Sequence, residues 1–203
     1  MKAASHNNAP GVRHAGRENI FLIGLMGAGK TTVGRMLARR LGLQFVDSDH
    51  EIELRCGVTI PVIFEIEGEA GFRLREEQAI ADLTARDGIV LATGGGAVLS
   101  ENNRRLLAER GTVIYLMGAP EELNRRIGND RNRPLLAGVD RLERLRALHV
   151  LRDPIYRSIA DMTVESGVRS AQTLARELIA RLAGAQSHAA KSAAPRARRA
   201  RET

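Results

Sequence analysis

Cysteine, aromatic residues, lysine and long apolar runs are all scarce in this chain of 203 residues. The one cysteine, Cys56, leaves no second thiol for an internal disulfide, so we expect a reducing, cytoplasmic setting. No stretch approaches the ~18 consecutive apolar residues of a membrane span, and the amino terminus lacks an apolar secretory segment, so we expect no membrane partner. Aromatic residues are 3% of the chain and tryptophan is absent, which leaves no platform on which nucleic-acid bases could stack.

The excess of positive charge lies at the two ends of the chain. The net charge is +7, yet residues 1–18 and 184–203 together carry +6, and residues 19–183 carry only +1. Both ends are too poor in large apolar residues to bury a core. We therefore expect one folded domain over 19–183, a disordered tail over 1–18 and a disordered basic tail over 184–203. The alternative, a polybasic arm over 196–201 that binds nucleic acid, is disfavoured because the domain itself is nearly neutral.

Lysine is kept at one informative place. Lys30 is the only lysine between residues 3 and 190, in a chain that uses arginine at most other basic positions. It stands in residues 24–31, Gly-Leu-Met-Gly-Ala-Gly-Lys-Thr, which fit the pattern G-x-x-x-x-G-K-[ST]. In such a loop the backbone N–H groups surround a phosphate, the lysine reaches the outer phosphates and the hydroxyl binds Mg²⁺. A compact ammonium suits that site better than a planar guanidinium.

The flanking sequence gives this loop the setting that it requires. Residues 19–24 form a short apolar run typical of a strand, and residues 31–41 place apolar side chains at helical spacing. A helix that begins near Gly29 would add its amino-terminal partial charge to the phosphate site. The alternative is a plain glycine turn, which explains neither Lys30 nor the two threonines after it.

Short apolar runs alternate with helical patterns along the domain, which is typical of an α/β fold with a parallel sheet covered by helices on both faces. The polar, arginine-rich segment 128–138 interrupts this alternation and is a candidate mobile lid. The predicted strands are 20–23, 44–46, 89–93, 112–116 and 162–164. The predicted helices are 31–41, 48–55, 60–67, 72–85, 101–108, 120–127, 141–159 and 171–182.

Two carboxylates follow the second predicted strand in the run Asp47-Ser48-Asp49. In open α/β sheets, ligands collect beyond the carboxyl ends of the strands. One carboxylate can then hold hydrated Mg²⁺, and the other can accept a proton from a substrate hydroxyl. The alternative is that Asp49 or Ser48 only caps the following helix. The phosphate loop on the adjoining strand favours catalysis.

A run of three glycines, residues 94–96, follows the third predicted strand. Successive glycines let the backbone approach a ligand closely and offer its N–H groups, although a flexible turn is the alternative. Many phosphate-loop enzymes place a metal-linked aspartate at such a strand end. This strand supplies none, so the metal role falls to Asp47.

Three arginines are candidate ligands for anions. Arg73 could pair with Glu77 one helical turn away, and composition alone favours that exposed pair. Arg152 is equally ambiguous. Arg133 is better placed, because an arginine in a lid can stabilise the charge on a phosphoryl group in transfer.

Six motifs, in order and at matching spacing over residues 19–182, resemble those of the shikimate kinase family. They read Gly-Leu-Met-Gly-Ala-Gly-Lys-Thr-Thr, Asp-Ser-Asp, Gly-Phe-Arg, Thr-Gly-Gly-Gly, Arg-Pro-Leu-Leu and Arg-x-Pro-x-Tyr. The resemblance implies a P-loop kinase fold like that of nucleoside-monophosphate kinases, with a five-stranded parallel sheet and a mobile lid. It implies ATP-dependent phosphorylation of the 3-hydroxyl of shikimate, a step of chorismate and aromatic amino acid biosynthesis. The partners would be shikimate, ATP and Mg²⁺, with no nucleic acid, and we expect a monomer.

On the nucleotide side, the resemblance implies that Lys30 and Arg133 act in catalysis, with Arg133 reaching the ATP phosphates from the lid. Arg126 would pack near adenine. Thr31 and Asp47 would bind Mg²⁺. The full ATP-binding set would be Gly27, Ala28, Gly29, Lys30, Thr31, Thr32, Arg126, Arg133 and Arg169, the last resting on the loosest match.

On the acceptor side, the resemblance implies that Asp49 contacts the shikimate hydroxyls and is the catalytic base. Arg73 and Arg152 would hold the shikimate carboxylate, and Gly95 would meet the ring hydroxyls through its backbone. The nearest alternatives are a gluconate kinase and a nucleoside-monophosphate kinase of the same fold. The Gly-Phe-Arg run that ends at Arg73 and the Arg-x-Pro-x-Tyr run that begins at Arg152 argue against both.

Overall fold

A computed structural model of the protein describes residues 19–127, 140–167 and 169–192, with side chains as far as residue 184. Three predicted features lie outside these residues: the tail 1–18, the candidate lid 128–138 with Arg133, and residues 193–203 of the basic tail. Among the described residues, no helix is long and apolar enough to cross a membrane.

Five parallel strands form one sheet in the order β2-β3-β1-β4-β5, which confirms the predicted sheet. The central strands β1 and β3 are buried at every residue, as expected for parallel strands covered on both faces. The bounds are β1 Ile20–Ile23, β2 Gln44–Asp47, β3 Ile89–Ala92, β4 Thr112–Met117 and β5 Met162–Glu165.

Seven α-helices and one 3₁₀ turn connect and cover the strands within the described residues. The helices are α1 Lys30–Leu41, α2 Ser48–Cys56, α3 Ile60–Thr84, α4 Glu101–Arg110, α5 Pro120–Ile127, α6 Arg141–Ile159 and α7 Ala171–Ser192, and the 3₁₀ turn is Ala97–Leu99. Because parallel crossovers are right-handed and the chain leaves β1 and β3 toward opposite edges, α1 and α4 lie on opposite faces. Helix α7 packs against α1, and α3 packs against α4.

Two helices differ from the sequence prediction. Predicted helices 60–67 and 72–85 are both parts of α3, which is interrupted at Gly68, where φ is 68° and ψ is −175°. Helix α7 continues ten residues beyond its predicted end at 182. Residues 184–192, which were assigned to the basic tail, are therefore helical. This stretch is rich in alanine, the strongest helix former, which explains the extension.

A second apolar cluster lies apart from the main core, between α2 and α3. It consists of Ile52, Ile63, Phe72 and Ala79, and the ring of Phe64 lies 4.9 Å from that of Phe72. These contacts hold α3 in place beside the carboxyl ends of the strands.

The topology locates the functional site. The crossover after β1 leads toward β2 at one edge, whereas the crossover after β3 leads to β4 on the other side of β1. Ligands of open α/β sheets bind at such a switch point, beyond the carboxyl ends of the strands. The phosphate loop follows β1, the carboxylate run follows β2 and the glycine run follows β3, so the three meet there.

The opposite end of the sheet is tied together by Asn19. Its Nδ2 donates to the carbonyl of Arg86 at 2.6 Å, and its Oδ1 accepts a hydrogen bond from the N–H of Ile89 at 3.0 Å. The side chain is buried, so its removal would leave these backbone groups without their hydrogen-bond partner.

We expect Asn19→Ala to lower the free energy of unfolding by about 2 to 3 kcal/mol, because the buried N–H of Ile89 would lose its acceptor. Urea denaturation followed by circular dichroism measures this change. Asn102→Ala is the matched control, because Asn102 is half-buried on α4 and should change stability by less than ~0.5 kcal/mol. Equal losses in the two variants would show that Asn19 is not a structural tie.

Candidate active site

A cleft of about 420 Å³ opens at the carboxyl ends of β1, β2 and β3. Its walls are the phosphate loop, the two aspartates after β2, the face of α3 around Arg73, the glycine run and Arg152. The structure therefore brings most of the predicted site residues into one cavity.

The phosphate loop is shaped by glycines with positive φ. Gly24, Gly27 and Gly29 have φ of 137°, 78° and 88°, a region that other residues rarely adopt. Helix α1 begins directly after Gly29, so its first N–H groups face the loop. The Lys30 ammonium donates to the carbonyls of Gly24 at 2.8 Å and Leu25 at 2.9 Å, which places it inside the loop.

The predicted metal ligands touch each other. The hydroxyl of Thr31 donates to Oδ2 of Asp47 at 2.8 Å. The Oδ1 of Asp47 accepts a hydrogen bond from the N–H of Asp49 at 3.1 Å, which makes Asp47 the N-cap of α2. The alternative that Asp49 or Ser48 caps this helix is wrong, and the side chain of Asp49 lines the cleft.

These oxygens fit a magnesium ion. Mg²⁺ is usually held by one or two carboxylates together with waters and substrate phosphates, not by a cage of protein ligands. Thr31 and Asp47 offer adjacent oxygens beside the phosphate loop. Within the part of the chain that the structure describes, no group of three or more acidic, histidine or cysteine side chains could hold a metal by itself.

The glycine run is fastened to the carboxylate run by Ser48. The buried Ser48 hydroxyl accepts a hydrogen bond from the N–H of Gly94 at 2.8 Å. A Cβ on Gly94 would lie 2.5 Å from Oε1 of Glu76 and 2.7 Å from Oδ1 of Asp49. A side chain at Gly94 would therefore have to displace the two carboxylates.

Arg73 is held by carboxylates of its own helix. It donates to Glu76 at 2.6 Å and to Glu69 at 2.8 Å, and its guanidinium lies 5.3 Å from the centre of the Phe72 ring. The predicted alternative partner, Glu77, instead accepts a hydrogen bond from Asn102. The alternative pairing is therefore wrong, and Arg73 faces the cleft, not an exposed helix face.

Glu76 is the buried counter-ion of this group. Its side chain is only 2% exposed, and burial raises the pKa of its carboxyl above the ordinary value while Arg73 and Arg152 oppose that rise. Burial lowers the pKa of Arg73, but Glu76 and Glu69 outweigh it, so the guanidinium stays charged. Among the described residues, Oε1 of Glu76 has no hydrogen-bond donor, and it points toward the glycine run.

Arg152 enters the cleft from α6. It is 3% exposed, and its Nη1 donates to the carbonyl of Gly95 at 3.1 Å. Within the described chain its Nε makes no hydrogen bond. Buried donors are rarely left unpaired in proteins, so this N–H suits an anionic oxygen supplied from the cleft.

Two predicted nucleotide ligands do not line the cleft. Arg126 donates to the carbonyls of Ser166 and Gly167 in the loop after β5. Arg169, in the same loop, pairs with Glu177 of α7. Of the loop residues predicted to bind ATP, Ala28 is buried behind the cleft surface, and the others line it.

The sequence prediction assigns no role in this site to Glu76, Ser48 or Tyr156, although Tyr156 ends the Arg-x-Pro-x-Tyr motif. The Tyr156 hydroxyl also donates to the Gly95 carbonyl. Glu76 lies three residues after Arg73, and that helical spacing was a usable signal. Ser48 had been considered only as a helix cap. Nothing in the sequence shows that its hydroxyl meets Gly94, 46 residues away.

Comparison with known proteins gives one consistent result. The family model for shikimate kinase matches residues 26–183. A shikimate kinase of Thiobacillus denitrificans is 61% identical over 166 residues, which are 82% of this chain and 91% of that protein. One of Bordetella avium is 58% identical over 163 residues, 80% of this chain and 78% of that protein. The solved structure of shikimate kinase from Acinetobacter baumannii in complex with shikimate is 49% identical, with a TM-score of 0.81, over 83% of this chain and 94% of that one.

Backbone geometry predicts different losses of stability for alanine at Gly24, in the phosphate loop, and at Gly42, the C-cap of α1. In Gly24→Ala the new Cβ would lie 2.5 Å from the carbonyl oxygen of Leu116 at a strained φ, so we expect a loss of at least ~3 kcal/mol in unfolding free energy. Gly42→Ala also has a positive φ, but its Cβ would meet nothing within 4 Å. It should cost about 1 to 2 kcal/mol, for strain alone. Urea denaturation of both variants makes the comparison, and equal losses would contradict the close approach at Gly24.

Proposed function

The chain belongs to the shikimate kinase family, and we propose that its cleft transfers the γ-phosphoryl group of ATP to the 3-hydroxyl of shikimate. The products are 3-phosphoshikimate and ADP, in a step of chorismate and aromatic amino acid biosynthesis. The protein is a phosphotransferase with an alcohol as acceptor.

One observation carries the proposal. The phosphate loop and the arginine pair Arg73 and Arg152 line the same cavity of about 420 Å³, with Asp49 also on its wall. A loop for phosphates beside two guanidinium groups is the arrangement needed to place a carboxylated alcohol against a nucleotide. Phosphoryl transfer asks a protein chiefly for this alignment and for stabilisation of charge.

In the proposed reaction the acceptor oxygen bonds to the γ-phosphorus as the bond from that phosphorus to the bridging oxygen of ADP breaks. Asp49 accepts the proton that the hydroxyl loses, which is a role open to it because Asp47 takes over the capping of α2. Lys30 stabilises the charge on the phosphoryl oxygens.

The charge of the cleft supports a requirement for Mg²⁺. Among the described residues that line the cleft, three cations and three carboxylates have formal charges that cancel: Lys30, Arg73 and Arg152 against Asp47, Asp49 and Glu76. A triphosphate and a carboxylate therefore need further positive charge. We assign that role to Arg133 and to a Mg²⁺ ion, which Thr31 and Asp47 would hold and which would supply positive charge beside the phosphates.

On the acceptor side, we assign the shikimate carboxylate to Arg73 and Arg152, and the ring hydroxyls to Asp49 and the backbone of Gly95. Glu76 supports this assignment because it accepts a hydrogen bond from Nη1 of Arg73 at 2.6 Å, which fixes that guanidinium, and because it also lines the cleft. We further assign the nucleotide to the phosphate loop, with Arg126 and Arg169 on its adenosine side.

We infer that the catalytic domain covers residues 19–183, and the match of the family model to residues 26–183 supports this boundary. We also propose that the protein acts as a monomer. The single cysteine supports a cytoplasmic location. No binding of nucleic acid is assigned to the basic tail.

The proposed function is tested by ADP release from the purified chain with shikimate, gluconate or AMP as the acceptor. We expect ADP release with shikimate only. Release with gluconate or AMP but not with shikimate would overturn the assignment of shikimate as the acceptor.

Lys30→Met should lower kcat by about 10²- to 10³-fold, because it removes charge stabilisation in the transition state. Lys2→Met removes the same charge outside the domain and should leave kcat unchanged.

Gly96→Ala tests the acceptor side. The φ of Gly96 is −97°, which alanine adopts freely, but the new Cβ would overlap Nη1 of Arg73. Arg73 must therefore move, and we expect shikimate affinity to fall at least about tenfold with ATP affinity unchanged. Calorimetric titration with shikimate and with an ATP analogue measures both affinities.

Two further variants control the Gly96 experiment. Gly184→Ala places a Cβ with no atom within 4 Å and should bind shikimate like the parent chain. Arg73→Ala should weaken shikimate binding by roughly 2 to 5 kcal/mol. If Gly96→Ala acts by displacing Arg73, it should cause little further loss of shikimate affinity in a chain that already carries Arg73→Ala. Additive losses of shikimate affinity in the double variant would contradict this explanation.

A further inference from the structure

The run of three glycines at residues 94–96 has no side chains to fix its shape, so its backbone must be fixed from outside. The N–H of Gly94 is held by Ser48, and its carbonyl accepts from the N–H of Ala97. The carbonyl of Gly96 accepts from the N–H of Leu99 in the following 3₁₀ turn. The central glycine, Gly95, is held differently, because its carbonyl is bound by side chains of α6.

Two donors of α6 meet at that carbonyl. Arg152 donates through Nη1 at 3.1 Å, and Tyr156 donates through its hydroxyl at 2.5 Å. They are four residues apart, so they lie one above the other on the same helix face. A peptide unit is planar, so holding the carbonyl of Gly95 also sets the direction of the N–H of Gly96.

Tyr156 is built to hold one position. Its side chain is 0% exposed, and its ring stacks on that of Tyr115 in β4, with centres 4.8 Å apart and planes at 28°. The hydroxyl of Tyr115 is anchored in turn on Asp153 at 2.9 Å, and Asp153 accepts from Arg157 at 2.7 Å. Burial raises the pKa of the Tyr156 hydroxyl, so it keeps its proton and remains a donor.

Arg152 and Tyr156 have different roles at the Gly95 carbonyl. Arg152 has a buried Nε without a hydrogen-bond partner among the described residues, and its guanidinium is assigned to the substrate carboxylate. If the guanidinium reorients to bind a ligand, its hydrogen bond to the Gly95 carbonyl is weakened or lost. Tyr156 does not line the cleft, so its hydroxyl is not exposed to a ligand that could compete with Gly95 for it.

We propose that Tyr156 is a positioning residue for the acceptor site, whose hydroxyl holds the Gly95 carbonyl and keeps residues 94–96 in the shape that binds shikimate. The inference rests on the proposed function, because it takes the glycine run as part of the shikimate site. Tyr156 is not among the residues that line the cleft, so the role proposed for it is positioning.

The test compares Tyr156→Phe with Tyr115→Phe. Each variant removes one hydroxyl from the same stacked pair, but only the first removes a bond to the glycine run. For Tyr156→Phe we expect the KM for shikimate to rise about 3- to 10-fold, with the KM for ATP and kcat within about twofold of the parent chain. For Tyr115→Phe all three constants should stay within about twofold, and both variants should show similar small decreases in Tm.

Partial unfolding cannot imitate this result, since it lowers the amount of active enzyme and hence the apparent kcat, but leaves both KM values unchanged. The proposal is overturned if the two variants have the same KM for shikimate, or if the KM values for shikimate and ATP rise together in Tyr156→Phe. Failure of the proposed function looks different, because then the parent chain itself does not phosphorylate shikimate.

Discussion

Two hydrogen bonds between loops hold the site together. The Thr31 hydroxyl binds Asp47, which joins the phosphate loop after β1 to the end of β2. The Ser48 hydroxyl binds the N–H of Gly94, which joins the end of β2 to the loop after β3. The sheet brings these strand ends to one edge, and the two bonds fix the loops relative to one another. Because both bonds are made by adjacent residues, Asp47 at the end of β2 and Ser48 at the start of α2, the phosphate loop and the glycine run are positioned against the same short segment.

Each half of the cleft is held by its own part of the fold. The phosphate loop rests on the main core through β1, a strand buried at every residue. Arg73 stands on α3, whose packing against α2 forms a separate small apolar cluster. The glycine run lies between them and is tied to β2 by Ser48 and to α6 by Arg152 and Tyr156. The position of Arg73 relative to the phosphate loop thus depends on the glycine run that lies between them.

Local pattern was enough to predict the five strands, the phosphate loop and the carboxylates, because each is encoded in a few consecutive residues. Contacts between distant segments were not predictable in this way. Helical spacing allows Arg73 to reach carboxylates at several positions along α3. It pairs with Glu76, whose burial depends on the whole fold and not on local spacing. The capping of α2 by Asp47 depends on where β2 ends, and the sequence placed that end one residue too early.

Because lysine is scarce in this chain, Lys30 can be modified selectively and used as a chemical probe of the phosphate loop. The whole chain carries three side-chain amines, and two of them, Lys2 and Lys191, lie near its termini. An amine-acylating reagent therefore has a single lysine target between residues 3 and 190, the half-buried residue Lys30. Protection of that one amine against acylation, followed by mass spectrometry of the digested chain, would report nucleotide occupancy of the loop without an engineered probe.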